Sequence, residues 1–194
     1  MNGNSNMHWH NFIAGDNNAY RELYNENIDK LYSYGSKFSK DTDLVKDCIH
    51  DLFVDLNNYR AKLHKDVNVT AYLYLSLRRK IFSCIKKKGT SIEVHNLEQS
   101  IFAVEWNAEI NMVYSEEWKL LLSRLNEELK ILSSRQQEVL FLKFHSELTY
   151  EEVAEIMRIS VATCRTLVYR AIKQLRVKME NVPKIALFLS IIFS

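Results

Sequence analysis

The chain has 194 residues, 47% of them hydrophobic, and a formal net charge of +2. That content suits one or two packed domains and argues against wholesale disorder. Four glycines and one proline are too few for the turns of a β-sandwich, a barrel or a glycine-lined nucleotide pocket, so helices must supply the fold.

The charge is small but unevenly spread. Residues 71–92 hold six basic side chains (Arg78, Arg79, Lys80, Lys86, Lys87 and Lys88) and no acid. Residues 158–178 hold another six (Arg158, Arg165, Arg170, Lys173, Arg176 and Lys178) and no acid. Asp41–Asp55 holds five aspartates and one lysine. Two basic stripes on a nearly neutral chain point to two contacts with a polyanion. Cys48, Cys84 and Cys164 show neither C-x-x-C spacing nor a zinc pattern with histidine, so a reduced, cytoplasmic chain with no metal or cofactor is expected.

Residues 1–17 are polar and read as a flexible N-terminus, and Met1–Asn11 has no apolar core of a signal peptide. Residues 18–88 read as several helices. Leu44, Val45, Cys48, Ile49, Leu52, Phe53 and Leu56 recur at helical spacing and form one apolar stripe. Asp43, Asp47, Asp51 and Asp55 are each four apart and stack along another face. Like charges at that spacing repel by about 0.2–0.5 kcal/mol per pair. The row is either a solvated face or a surface for a basic partner.

Asn57–Thr70 is a polar, basic loop opened by a helix stop at Asn57-Asn58. Ala71–Lys88 then reads as a helix whose apolar positions are Tyr72, Leu73, Leu75, Leu77, Ile81, Phe82 and Ile85, with Tyr74 and the basic residues on the rest. Aromatics among arginines and lysines suit single-stranded nucleic acid, whose bases stack on rings while cations track phosphates. A core helix with a solvated basic end fits this segment equally well.

Residues 89–118 open with Gly89-Thr90-Ser91, lose periodicity and read as a linker. Residues 119–179 read as a second helical domain. Ser133-Ser134-Arg135-Gln136-Gln137 contains overlapping S-x-x-Q capping boxes and Thr149–Glu152 is a T-x-x-E box, each signal opening a helix. Arg158-Ile159-Ser160 interrupts the pattern, and Ser160 can cap a helix running to Lys178. Its apolar face is Cys164, Leu167, Val168, Ala171, Ile172 and Leu175, and Ala154 lies where the preceding helix must approach closely. Helix, short turn and longer basic helix make a helix-turn-helix, which sets the start of its second helix in a major groove. Arg165, Thr166, Tyr169, Arg170 and Lys173 lie off the apolar face. Arginine reads guanine bidentately or holds phosphate. An apolar tail, 180–194, ends the chain. Its run Val182–Ser194, about 13 residues long, falls short of the roughly 20 of a spanning helix and is expected to pack on one of the domains, with a membrane surface and a partner protein as the alternatives.

These residues resemble the extracytoplasmic-function group of bacterial sigma factors, small members of the sigma-70 family. The resemblance covers about 18–88 and 119–179, which look like the family's regions 2 and 4. Leu148-Thr149-Tyr150-Glu151-Glu152-Val153-Ala154-Glu155 resembles the L-S-Y-x-E-I-A-E stretch of region 4. Asp43-Leu44-Val45-Lys46-Asp47-Cys48-Ile49-His50-Asp51-Leu52-Phe53 resembles the D-L-V-Q-E-V-F helix of region 2, and Ala71–Arg79 its A-W-L-Y-x-I-A-R-N helix. The resemblance implies an all-α fold of two small helical domains joined by a linker, the second a helix-turn-helix domain. It implies that Asp47, His50 and Asp51 bind the beta-prime clamp helices of core RNA polymerase. It implies that Tyr72, Tyr74, Arg78, Arg79 and Lys80 face the minus-ten promoter element and that Arg165, Thr166, Tyr169, Arg170 and Lys173 face the minus-thirty-five element. An anti-sigma factor is a further partner that the resemblance admits. Departures are His50 for a usual glutamine, Cys164 for valine, and Arg158 for a turn glycine, which matters if that position needs positive φ.

A free-standing regulator binding an operator as a dimer accounts for the helix-turn-helix but not for the aspartate row. His8, His10, His50, His64, His95 and His145 form no metal or nucleophile constellation, so neither an enzyme nor a small-molecule substrate is expected.

Overall fold

Trp9 and Phe12 lie three residues apart, and both are 1% exposed. They anchor a first helix, α1 (Asn2–Ala14), where the sequence reading placed a flexible N-terminus. That reading is corrected: two rings on one helix face bury enough apolar surface to hold a polar segment in place. The computed structural model describes residues 2–87, 102–103 and 116–178, and all its regular elements are helical. The chain divides into two units, Met1–Leu97 and Glu98–Ser194.

In the first unit, Gly15 turns the chain at φ 110° and Asp16 caps α2 (Asn17–Gly35) by accepting the Asn18 N–H at 2.8 Å. At the end of α2, a Cβ on Gly35 would sit 2.8 Å from Val45 Cγ1 and 3.2 Å from Ile81 Cδ1. Its absence lets three helices meet there. Asp41 caps α3 (Thr42–Asn58), and all seven residues of the apolar stripe are buried. A 3-10 turn, Arg60–Lys62, and a short coil follow. Asn68 then accepts the Ala71 N–H at 3.0 Å and starts α4 (Val69–Lys87).

Helix α4 packs against α1, α2 and α3. It is therefore buried over more of its circumference than an amphipathic stripe needs. Tyr34, Phe38, Tyr74 and Phe82 form a ring cluster around it, with centroids 5.0–5.3 Å apart. Cys48 and Cys84 are free thiols with Sγ atoms 3.5 Å apart, and burial pushes the Cys48 thiol up to about 12.

In the second unit, α5 (Glu116–Ile131) leads into α6 (Ser134–Leu140), which the Ser133–Gln136 capping box opens. A π turn, Phe141–His145, closes α6. Then come α7 (Tyr150–Met157) and α8 (Val161–Lys178). Leu125, Leu129, Val139, Leu140, Val153, Ile156, Cys164, Val168, Ala171 and Leu175 are buried as its core.

Most of the expected linker, 89–118, and all of the apolar tail, 180–194, lie outside the described residues. Within the linker, Phe102 is 2% exposed and meets Phe141 edge-on at 5.8 Å. Among the described residues no helix is long and apolar enough to cross a membrane.

Candidate nucleic-acid interface

The helix-turn-helix is built from α7 and α8. Thr149 and Glu152 bond reciprocally: the Thr149 N–H donates to Glu152 Oε2 at 2.7 Å, and the Glu152 N–H to Thr149 Oγ1 at 3.2 Å. Such a cap contributes about 1 kcal/mol. Helix α7 stops at Arg158, whose φ of 53° and ψ of 50° are left-handed. The turn does need positive φ, and an arginine occupies a conformation that glycine adopts without strain. The Ile159 N–H then donates to the Ala154 carbonyl at 3.0 Å. Ala154 is 4% exposed, so the small residue sits inside the close approach. Ser160 caps α8 by accepting the Thr163 N–H at 3.0 Å.

On α8, Cys164, Val168, Ala171 and Leu175 face inward, while Ala162, Arg165, Thr166, Tyr169, Arg170 and Lys173 are exposed. Tyr169 is 65% exposed, far more than a core tyrosine. The Arg165 guanidinium lies 5.4 Å from the Tyr150 ring centroid, and Lys143 Nζ lies 4.8 Å from it. Arg165 Nη2 also stands 3.9 Å from Glu151 Oε1. Tyr150 therefore orients Arg165 through its ring face. The sequence reading missed this, although Tyr150 is the first helical residue after the capping threonine. The Thr166 hydroxyl donates to the Ala162 carbonyl at 2.9 Å, leaving its lone pairs and methyl outward.

The first unit treats its basic helix differently. Tyr74 and Arg78 are each 2% exposed. Tyr74 meets the Tyr34 ring at a 38° tilt, and the Arg78 guanidinium lies 4.8 Å from the Phe82 centroid. Their placement on a nucleic-acid face is corrected: with three helices around α4, these positions turn inward. Lys80 Nζ is 2.6 Å from Asp55 Oδ2, so one member of the aspartate row is already paired. Tyr72 is half-buried, and Arg79 is exposed.

Asp43, Asp47, His50, Asp51 and Val54 remain exposed on α3. Between α3, the following turn and α4 lies a cavity of about 180 Å³ lined by Leu52, Asp55, Leu56, Tyr59, Leu63, Tyr72, Ser76 and Lys80. It is smaller than the roughly 300–1,000 Å³ of drug-sized pockets. Its walls combine two aromatic rings, a hydroxyl and an ion pair. Tyr59, 55% exposed, stands at its edge.

The sigma-70 region 4 family model matches residues 122–175, which include the whole of α7 and most of α8. RNA polymerase sigma factor YlaC of Bacillus subtilis (strain 168) is 23% identical over 169 residues, covering 84% of this chain and 93% of YlaC. Two solved structures share the fold. CnrH, in complex with the cytosolic domain of CnrY, has a TM-score of 0.59 at 17% identity and covers 91% of this chain and 97% of its own. The sigma factor RpoE of Bartonella quintana, in complex with the anti-sigma factor NepR, has a TM-score of 0.57 at 20% identity and covers 84% and 97%. The region 4 match falls on the capped helix-turn-helix, and the YlaC likeness extends across most of the chain. Residues 122–175 thus match sigma-70 region 4, and over most of its length the chain is similar to an RNA polymerase sigma factor and shares the fold of two others.

Proposed function

We propose that the two units divide promoter recognition between them, as region 2-like (18–88, extended back to α1) and region 4-like (119–179) domains. Helix α8 enters the major groove of the minus-thirty-five element. Arg165 and Arg170 contact guanine edges or phosphates, Thr166 and Tyr169 contact bases, and Lys173 neutralises phosphate. The observation that carries this reading is the exposed face of α8, immediately behind a capped helix and tight turn.

In the first unit, Asp47, His50 and Asp51 form the docking face for the beta-prime clamp helices of core polymerase. All three are exposed on one helix, with Asp47 and Asp51 four residues apart, which supports this role. The cavity between α3 and α4 captures one flipped minus-ten base, with Tyr72 and Tyr59 offering ring faces and Ser76, Asp55 and Lys80 offering polar atoms. Arg79 tracks the strand. Tyr74 and Arg78 support this surface from beneath.

The chain works in the cytoplasm and performs no chemistry of its own, since polymerase supplies the catalysis. The Bartonella quintana sigma factor was solved with an anti-sigma factor, and we extend that partner class to this chain. An operator-binding dimer gains no support, because it gives the exposed aspartates no role.

Core polymerase association tests the docking face. Asp47→Lys with Asp51→Lys should lower affinity for core polymerase at least about tenfold, the effect of roughly 1.4 kcal/mol, while the fold, read by circular dichroism, is retained. Unchanged affinity would place polymerase elsewhere.

A further inference from the structure

The segment Tyr59–Asn68, which forms one wall of the cavity, contains no proline to stiffen it. Its own hydrogen bonds are local: Lys62 N–H to the Tyr59 carbonyl, Leu63 to Arg60, and Val67 to Lys65. Such a segment has little intrinsic rigidity, yet base selection needs a wall of fixed shape. One long-range tether comes from α1. Trp9 Nε1 donates to the His64 carbonyl at 3.0 Å, across 55 residues. The same ring lies 5.5 Å from the Tyr72 ring, tilted by 57°, and is 1% exposed. Leu63, next to His64, and Tyr72 both line the cavity. One buried side chain therefore touches the loop wall through its N–H and the helical wall through its ring.

We propose that Trp9 is a positioning residue for promoter specificity, fixing the loop 59–68 relative to Tyr72 so that the cavity discriminates among bases. This rests on the reading that the cavity captures a minus-ten base. Trp9 never touches the DNA. Removing its N–H frees the loop backbone and leaves the ring packing against Tyr72 and Phe12. The consequence falls on selectivity more than on assembly, because the exposed face of α3 does not involve α1.

The test uses the full chain with core polymerase and a library of duplex templates with randomised upstream sequence, each carrying a transcribed barcode. Base preference is read from the barcodes of the transcripts. Three proteins are compared with the parent: Trp9→Phe, a chain with benzothienylalanine at position 9 (the same ring shape without the N–H), and Ser76→Ala inside the cavity. The benzothienyl chain should melt close to the parent temperature and bind core polymerase equally. Its preference ratio at one minus-ten position should fall about two- to tenfold, the equivalent of one net hydrogen bond. Trp9→Phe should relax the same position. A benzothienyl chain with the parent's preferences, beside a Ser76→Ala chain with altered ones, overturns the role of Trp9 and leaves the cavity reading intact. Parent preferences in all three variants overturn both. A uniform loss of transcripts with no change of preference also overturns the proposal, since it marks Trp9 as structural only.

Discussion

Helices α4 and α8 have nearly the same length, 19 and 18 residues, and their stretches carry the same number of basic side chains. They nevertheless use those residues in opposite ways. Helix α8 buries four positions and leaves Arg165, Tyr169, Arg170 and Lys173 exposed. Helix α4, packed against three other helices, draws Tyr74 and Arg78 into its core and ties Lys80 to Asp55. Counting charges therefore does not locate a nucleic-acid face. The number of neighbours around the helix decides which charges reach water. In α8 the proposed reading surface is the helix itself, whereas beside α4 the proposed surface is a cavity shared with α3 and the loop.

The sharpest way to break this contrast is Tyr74→Ala. If Tyr74 is core, its loss lowers the unfolding free energy by about 3–5 kcal/mol, the usual range for a large buried aromatic. Chemical denaturation measures it. A normal midpoint combined with weaker binding to single-stranded promoter DNA would return Tyr74 to the surface.

The matching change on the other helix is Arg165→Ala. It should leave the denaturation midpoint nearly unchanged and weaken duplex promoter binding by about 1–3 kcal/mol, with relaxed specificity at one base pair. Fluorescence anisotropy at fixed salt reads both quantities. Equal losses on every sequence would reduce Arg165 to a phosphate contact.

Arg158→Gly tests the turn between α7 and α8. Relief of the left-handed strain should stabilise the second unit by about 1 kcal/mol, seen as a higher urea midpoint with an unchanged slope. A lower midpoint would mean that the arginine side chain contributes more than its backbone costs. Smallest of all, Lys86→Ala, at the exposed end of α4, should shift stability by less than about 0.5 kcal/mol.

Much of this was legible in the chain. The seven-residue stripe of α3 is wholly buried, because every fourth or third position had only one way to face. The Thr149 capping box stands where its spacing put it, and of the two overlapping boxes at Ser133 and Ser134 the first is used, since capping is local chemistry. The exposed face of α8 was equally readable, because only one side of that helix is covered.

What escaped depended on distant neighbours. Nothing local to Tyr74 or Arg78 reveals that α1, α2 and α3 surround them. Helix α1 looked loose because, among its described side chains, only Trp9 and Phe12 are buried, amid polar residues. The π turn Phe141–His145 has no sequence signature, and the cavity exists only once α3, the loop and α4 are together. Arg158 is the intermediate case: its positive φ was a question the sequence posed, and the backbone answered it.

The division of labour between the units is tested most directly by transcription in vitro from fragmented genomic DNA, using core polymerase with and without this chain and mapping every transcript start. Starts should appear only with the chain and share two separated upstream motifs. The distal motif should lose its sequence preference when Arg165→Ala and Arg170→Ala are combined, while the proximal one persists. Starts without a shared distal motif, or a distal motif unaffected by the paired substitution, would contradict it.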